Sequence, residues 1–305
     1  MKDIAIACAK FQIRSGVKEY NLSRIEELTF KALPRFAVLV LLVGLMLANP
    51  LAAQKKIYIF TDLEGINGVY KFEQTREKGT PLNIQACEYF MDDLSAVIRG
   101  LQDGGATDIL VVDGHGNQCI IPHMMVGGAR YATGLPRSET MWGLDESFAG
   151  MVQFGAHSMM GTHDGVLNHT QSSKSERRYW YNGVECGELV QCATIAGYYG
   201  IPTILVTGDV ATCREATKFF GPGCETVAVK EGIAREAAVL FPFEQTRKAL
   251  YEGARKSMEA ISHCTPFINW ICPLKANCSI LIWSPIRQNL MLLPRKRFFR
   301  MLVIY

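Results

Sequence analysis

None of the 10 cysteines falls in a Cys-x-x-Cys pair, which removes the paired-thiol signature of a structural zinc finger and of a thioredoxin-like redox motif. Net charge is also scarce. The 32 basic and 29 acidic residues leave a formal +3, and no basic stripe carries interleaved aromatics, so nucleic acid is not an expected partner. No internal repeat and no low-complexity linker is present, which argues against a solenoid or a chain of tethered modules. The most prominent apolar run, residues 36–48, falls short of the roughly 20 residues that a spanning helix needs.

That run has the grammar of a signal peptide. Lys31 and Arg35 precede it, and Asn49-Pro50-Leu51-Ala52-Ala53-Gln54 supplies a helix breaker and small residues suited to cleavage near Ala53. Residues 1–53 therefore read as a leader, and the protein as periplasmic or secreted with no stable membrane span after cleavage. The segment ahead of the apolar run is long for such a leader, so a later start and an uncut anchor both stay open. No cysteine stands near Gln54, so a lipoprotein anchor is not supported. Ten cysteines are many for a cytosolic enzyme and tolerable for an exported one. Only Cys8 lies in the leader, so cleavage leaves an odd number and at least one thiol without a partner in the chain.

What the remainder holds is the material of a large core: 49% hydrophobic and 20% charged residues over a chain of 305, enough for one or two domains. Strand and helix patterns alternate. Residues 57–61, 108–112, 151–156 and 203–207 read as buried strands, and 84–101, 189–199 and 243–261 read as helices. Residues 178–181 followed by Asn182-Gly183 read as a hairpin. This rhythm predicts an α/β fold, a mostly parallel sheet flanked by helices, with a smaller C-terminal α+β subdomain.

Chemistry concentrates at the strand ends. Asp62 and Glu64, in Thr61-Asp62-Leu63-Glu64-Gly65, close the first strand, and i, i+2 positions on an extended chain project together, where they can offer oxygens to one cation or two adjacent ones. The plain alternative is a polar strand end. His115 in Asp113-Gly114-His115 and His157 in Gly155-Ala156-His157 end later apolar runs, and in an open α/β sheet such ends meet in one crevice. His169 follows in Gly165-Val166-Leu167-Asn168-His169. Singly, a histidine in a glycine-rich loop is more often a hydrogen-bonded surface residue than a ligand. Glu188 opens an apolar helix, where a first-turn glutamate also serves the helix dipole. His163 reads as a rim residue, and His123 and His263 have no partner motif. Asp113 either orients His115 or caps its turn. Asp209 and Lys230 end later strands and are weaker candidates for substrate contact. Cys186 reads as packing.

Together with Ile66 and the segment Gly183-Val184-Glu185-Cys186-Gly187-Glu188-Leu189, these motifs stand in an order and spacing that resembles the zinc-dependent D-aminopeptidases of the bacterial dipeptide-transport type. The resemblance runs from about residue 55 to about residue 261. It implies two zinc ions per chain, with Asp62 bridging, Glu64 and His115 on one ion, and His157 and Glu188 on the other. It makes His169 the catalytic histidine, as general acid/base or as nucleophile, and acid/base is favoured here. It implies short peptide substrates with a free N-terminus, D-residues among them, and a large ring-like homo-oligomer. On this reading residues 54–283 are the metallo-aminopeptidase domain, with room for two subdomains. Residues 273–282 still resemble the family's late strand, whereas 284–305 form an atypical basic, aromatic tail. If that tail replaces a segment that normally completes the fold, the alternative is a catalytically impaired peptide-binding protein of the same fold.

Overall fold

The computed structural model describes residues 54–116 and 119–268 in full, together with the backbone of Ala276–Leu281 and Leu293–Arg295. The leader, and the tail apart from its short strand, lie outside the described residues.

The first strand, β1 (Lys56–Thr61), shows how the sequence divides the molecule into layers. Ile57 and Ile59 face one core and Tyr58 the other, because successive side chains on a strand alternate. The next strand, β2 (Asp108–Asp113), repeats the division with Ile109 and Val111 on the first face, Leu110 and Val112 on the second. Both faces are covered, as the apolar strands of a parallel sheet require. The first is covered by a long helix, which follows the short helix α1 (Phe72–Arg76). That helix, α2 (Pro81–Asp103), presents Ala86, Phe90, Met91, Leu94, Val97, Ile98 and Leu101 as one buried stripe. It begins earlier than the apolar pattern predicts because Thr80 accepts a hydrogen bond from Asn83 N and Pro81 stands at its first position.

After β2 come β3 (Arg130–Ala132), β4 (Gly150–Phe154), a hairpin of β5 (Glu176–Tyr181) and β6 (Val184–Cys186), and helix α3 (Glu188–Tyr198). The chain continues through β7 (Thr203–Asp209), α4 (Val210–Phe220), β8 (Glu225–Ala234), β9 (Ala237–Leu240) and α5 (Phe243–Ala260). Helix α5 packs beside α2 through Leu250, Ala254 and Met258, members of the core that α2 covers. The predicted hairpin forms at Asn182 and Gly183, whose φ values of 50° and 84° are those of a type I′ turn.

The main sheet has seven strands in the order β3-β2-β1-β4-β7-β8-β9, parallel except for β9, which returns antiparallel beside β8. A second, antiparallel sheet joins the mid-chain hairpin to β10 (Ala276–Leu281) and β11 (Leu293–Arg295) in the order β11-β10-β5-β6. In the main sheet the chain moves outward from β1 to β3 and then crosses to β4 on the other side of β1. The order therefore reverses at β1/β4, the switch point where open α/β sheets leave a crevice at their carboxyl edge. Thr61 is level with Asp113 on one side and with Phe154 on the other, so the three loops after these strands leave the sheet at one height.

Candidate metal centre

Those three loops carry the predicted residues. The loop after β1 holds Asp62 and Glu64, the loop after β2 holds His115, and the loop after β4 holds His157. Their approach depends on glycine. A Cβ on Gly65 would lie 2.0 Å from the carbonyl oxygen of Ala156, and one on Gly155 would lie 2.2 Å from that of Asp62. Gly155 also has φ of 68°, a conformation that side chains rarely adopt. Gly65 N donates to Gly155 O at 2.7 Å, and Asp62 N to Phe154 O at 2.8 Å, so the two loops are stitched together.

Two further segments close the site. Glu188 is the first residue of α3, and its Oε1 accepts a hydrogen bond from Gln171 N. His169 is delivered by a loop whose Leu167 sits at φ 54° and donates its N–H to Arg235 O at 2.7 Å. Asn168 clamps that loop by donating to Thr162 O and Gly165 O while accepting from Gly161 N.

All six predicted residues meet. His115 Nδ1 is 3.0 Å from Asp62 Oδ1 and 3.1 Å from Glu64 Oε2; His157 Nε2 is 3.2 Å from Asp62 Oδ2 and 3.7 Å from Glu188 Oε1. His169 Nε2 is 4.0 Å from Glu188 Oε1, and its ring stacks on that of His157 with centroids 3.9 Å apart. The ligand atoms fall into two groups, Asp62 with Glu64 and His115, and His157 with His169 and Glu188. Asp62 stands between the groups, with Oδ1 toward His115 and Oδ2 toward His157. Ligands about 2.0–2.1 Å from a tetrahedral ion stand roughly 3.3 Å from one another, close to the shorter separations here.

The histidines are oriented for this task. His115 Nε2 donates to Thr75 O at 3.0 Å, His157 Nδ1 to Ser158 O at 3.0 Å, and His169 Nδ1 to Leu167 O at 2.8 Å. Each ring thus commits one N–H to a main-chain carbonyl and turns its other nitrogen, bare in the neutral ring, toward the carboxylates, the arrangement typical of metal-binding histidine. Buried Glu64 Oε2 and His157 Nε2 are left without a properly aligned hydrogen-bond partner. A cation would satisfy both atoms, so the residues fit zinc.

The charge balance points the same way. Burial alone would raise Glu64, yet the adjacent His115 outweighs it and holds the carboxyl well below its usual range. Burial alone would lower His115 and His157, but Glu64 and Asp62 raise the first well above its ordinary value, and Asp62 and Glu188 push the second up to about 10. His169 behaves differently: burial and the charge of neighbouring His157 bring it down to about 4, so it stays a neutral base. The carboxylates favour positive charge beside them, carried by His115 and His157 here and by a cation where those rings are neutral.

Several weaker expectations change. Lys230 is fully buried and donates to Glu64 O at 2.6 Å, Ile66 O at 2.8 Å and Val69 O, so it braces the Asp62–Glu64 loop from behind and is no substrate contact. Burial pushes this ammonium down to about 8. Asp209 is likewise buried. It caps α4 through Thr212 N at 2.7 Å and fixes the His169 loop through Val166 N at 2.6 Å. Of the two roles expected of Asp113, the structure shows the turn-holding one: its Oδ2 accepts from Cys119 N at 2.8 Å in the loop that carries His115. His123, His163 and His263 are exposed and belong to neither group, and Cys186 is buried in a small apolar cluster. Thr75 went unnoticed in the sequence because its contribution is a main-chain carbonyl, which any residue supplies.

A family model described as D-aminopeptidase matches residues 55–280, more than half of the chain. The chain belongs to the D-aminopeptidase family. It is similar to a D-aminopeptidase of Bacillus subtilis (strain 168), 28% identical over 190 residues, an alignment that covers 60% of this chain and 66%, just under two thirds, of that relative. Among solved structures it is similar to the zinc-dependent D-aminopeptidase DppA from Bacillus subtilis, described as a self-compartmentalizing protease, with a TM-score of 0.67 and 25% identity over 75% of this chain and 82% of that one.

Proposed function

We propose that this protein is a zinc-dependent D-aminopeptidase with two ions per chain, acting on short peptides that have a free N-terminus. The observation that carries the reading is the orientation of the three imidazoles, each tied by one nitrogen to a main-chain carbonyl and aimed by the other at Asp62, Glu64 and Glu188. Family membership supports the zinc and the D-preference.

In this reading Asp62 would be shared by the two ions, Glu64 and His115 would hold one of them, and His157 and Glu188 the other. When bound, such a pair supplies polarisation of the scissile carbonyl and a lowered pKa for water. His169 is the general acid/base. Its Nδ1–H is held by Leu167 O, which leaves Nε2 to take a proton from attacking water and return it to the departing amine. Phe72, whose ring centroid is 6.3 Å from that of His169, excludes water from one side of the imidazole. Leu189 lines the pocket together with Asp62, His157 and Glu188, and its apolar side chain strengthens the charge interactions there.

The leader-like segment supports export, and the self-compartmentalizing relative supports a closed homo-oligomer. The test compares hydrolysis of D-Ala-D-Ala and L-Ala-L-Ala by the purified protein before and after chelation. The expected result is faster cleavage of the D-dipeptide, abolished by chelator and restored by zinc. Peptide binding without turnover, indifferent to chelator, would instead establish the impaired peptide-binding protein.

A further inference from the structure

Helix α1 does more than supply Thr75 O to His115. At its two ends stand Phe72, edge-on to His169, and Arg76, whose guanidinium lies over the Phe72 ring at 3.6 Å. From the β8–β9 turn a second guanidinium, Arg235, reaches the same ring at 4.9 Å. Two cations thus share one aromatic ring beside the catalytic histidine.

Both arginines are held by bonds that leave part of the fork unused. Arg76 donates Nε to Ser173 Oγ at 2.9 Å and Nη2 to Ser173 O, while Arg235 donates Nε to Asn168 O at 3.1 Å. The Nη1 group of each takes no part in these bonds. Among the described residues, neither guanidinium forms an ion pair with a carboxylate. The nearby Glu236 uses Oε1 to accept from Phe72 N at 2.8 Å. Burial and the like charge of Arg235 both disfavour the charge on Arg76, while Glu236, Glu64 and Glu77 favour it. Holding two like charges together is unfavourable unless a shared anion joins them.

We propose that Arg76 and Arg235 form the subsite for the C-terminal carboxylate of a short peptide, and so make the enzyme selective for di- and tripeptides over longer or C-terminally blocked chains. This rests on the aminopeptidase reading of the adjacent site. The scale agrees: His169 to Phe72 is 6.3 Å and Phe72 to the Arg76 guanidinium 3.6 Å, a reach on the order of one or two extended residues, about 3.3–3.6 Å each, plus a contact distance at either end. Planar guanidinium forks are the side chains best matched to a carboxylate. A carboxylate bound there also places the peptide's length along the rim, with its amino end at the metals.

The experiment measures binding by calorimetry of a non-hydrolysable D-Ala-D-Ala analogue, with CH2–NH in place of the amide, against the same analogue with a C-terminal carboxamide. The full-length zinc-loaded protein is compared with Arg76→Gln and Arg235→Gln, with zinc content recorded for each. The wild type is expected to bind the carboxylate form at least about tenfold more tightly than the carboxamide, and each variant to bring that ratio toward 1. A structural role for the arginines would weaken both ligands alike and keep the ratio. The proposal is overturned if the wild type does not distinguish the two ligands, a result that needs no variant, or if the ratio survives in both folded variants. Carboxylate-dependent binding without hydrolysis of D-Ala-D-Ala would keep the subsite and defeat the aminopeptidase reading; hydrolysis without carboxylate dependence would do the reverse.

Discussion

At the scale of single residues, the roles of Asp62 and His169 separate by what their neighbours leave free. The two oxygens of Asp62 face different imidazoles, His115 at 3.0 Å and His157 at 3.2 Å, so removing this side chain would open both of the proposed ion sites together. Asp62→Ala is expected to lose both zinc ions, measured by metal analysis; retention of a full pair would remove the bridging role. His169 stands 4.0 Å from Glu188, farther than the other contacts, and stays neutral through burial and the charge of His157. His169→Ala is expected to keep both ions and lose about a hundredfold or more in kcat, the usual contribution of a general acid/base. Loss of one ion in that variant would make it a ligand. These residue types were legible from the chain because carboxylate and imidazole chemistry is written in the side chain. Lys230 and Asp209 were legible only as polar strand ends; that each turns inward to brace a loop depends on carbonyls and amides the sequence does not display.

At the scale of elements, the site depends on how closely the loops after β1 and β4 approach. Gly155→Ala places a methyl group 2.2 Å from Asp62 O and imposes a left-handed conformation on alanine. The expected loss is on the order of 3 kcal/mol of stability, together with reduced zinc occupancy, read by thermal unfolding and metal analysis. Unchanged zinc content would show that the loops do not position the centre. The β/α rhythm was readable because strands buried on both faces are continuous apolar runs and α2 carries a stripe at helical spacing. The sequence pattern does not show helix α4, and of the β8–β9 hairpin it shows only a strand ending near Lys230. The first is short with a mixed surface, and the second is half exposed with Gly232 and Arg235-Glu236 interrupting its alternation. That hairpin carries Arg235 to the site, so one half of the proposed carboxylate subsite lies where the sequence pattern is weakest.

At the scale of the whole molecule, chain order explains the site's location. The reversal at β1/β4 opens the crevice, and the level ends of β2, β1 and β4 bring residues from Asp62 to His157 into it. Motif spacing shows the loops but not the order of the strands between them, so convergence was an expectation until the topology was seen. The second sheet is drawn from two distant parts of the chain. Its pairing of β5 with β10 was not readable because antiparallel partners need not be sequence neighbours. The central claim is a two-zinc centre shared through Asp62. Anomalous diffraction at the zinc edge from crystals of the zinc-loaded protein tests it most directly. The account predicts two peaks about 3.5–4 Å apart, one against Glu64 and His115, the other against His157 and Glu188, with Asp62 between them; a single peak, or a pair that Asp62 does not touch, would contradict it.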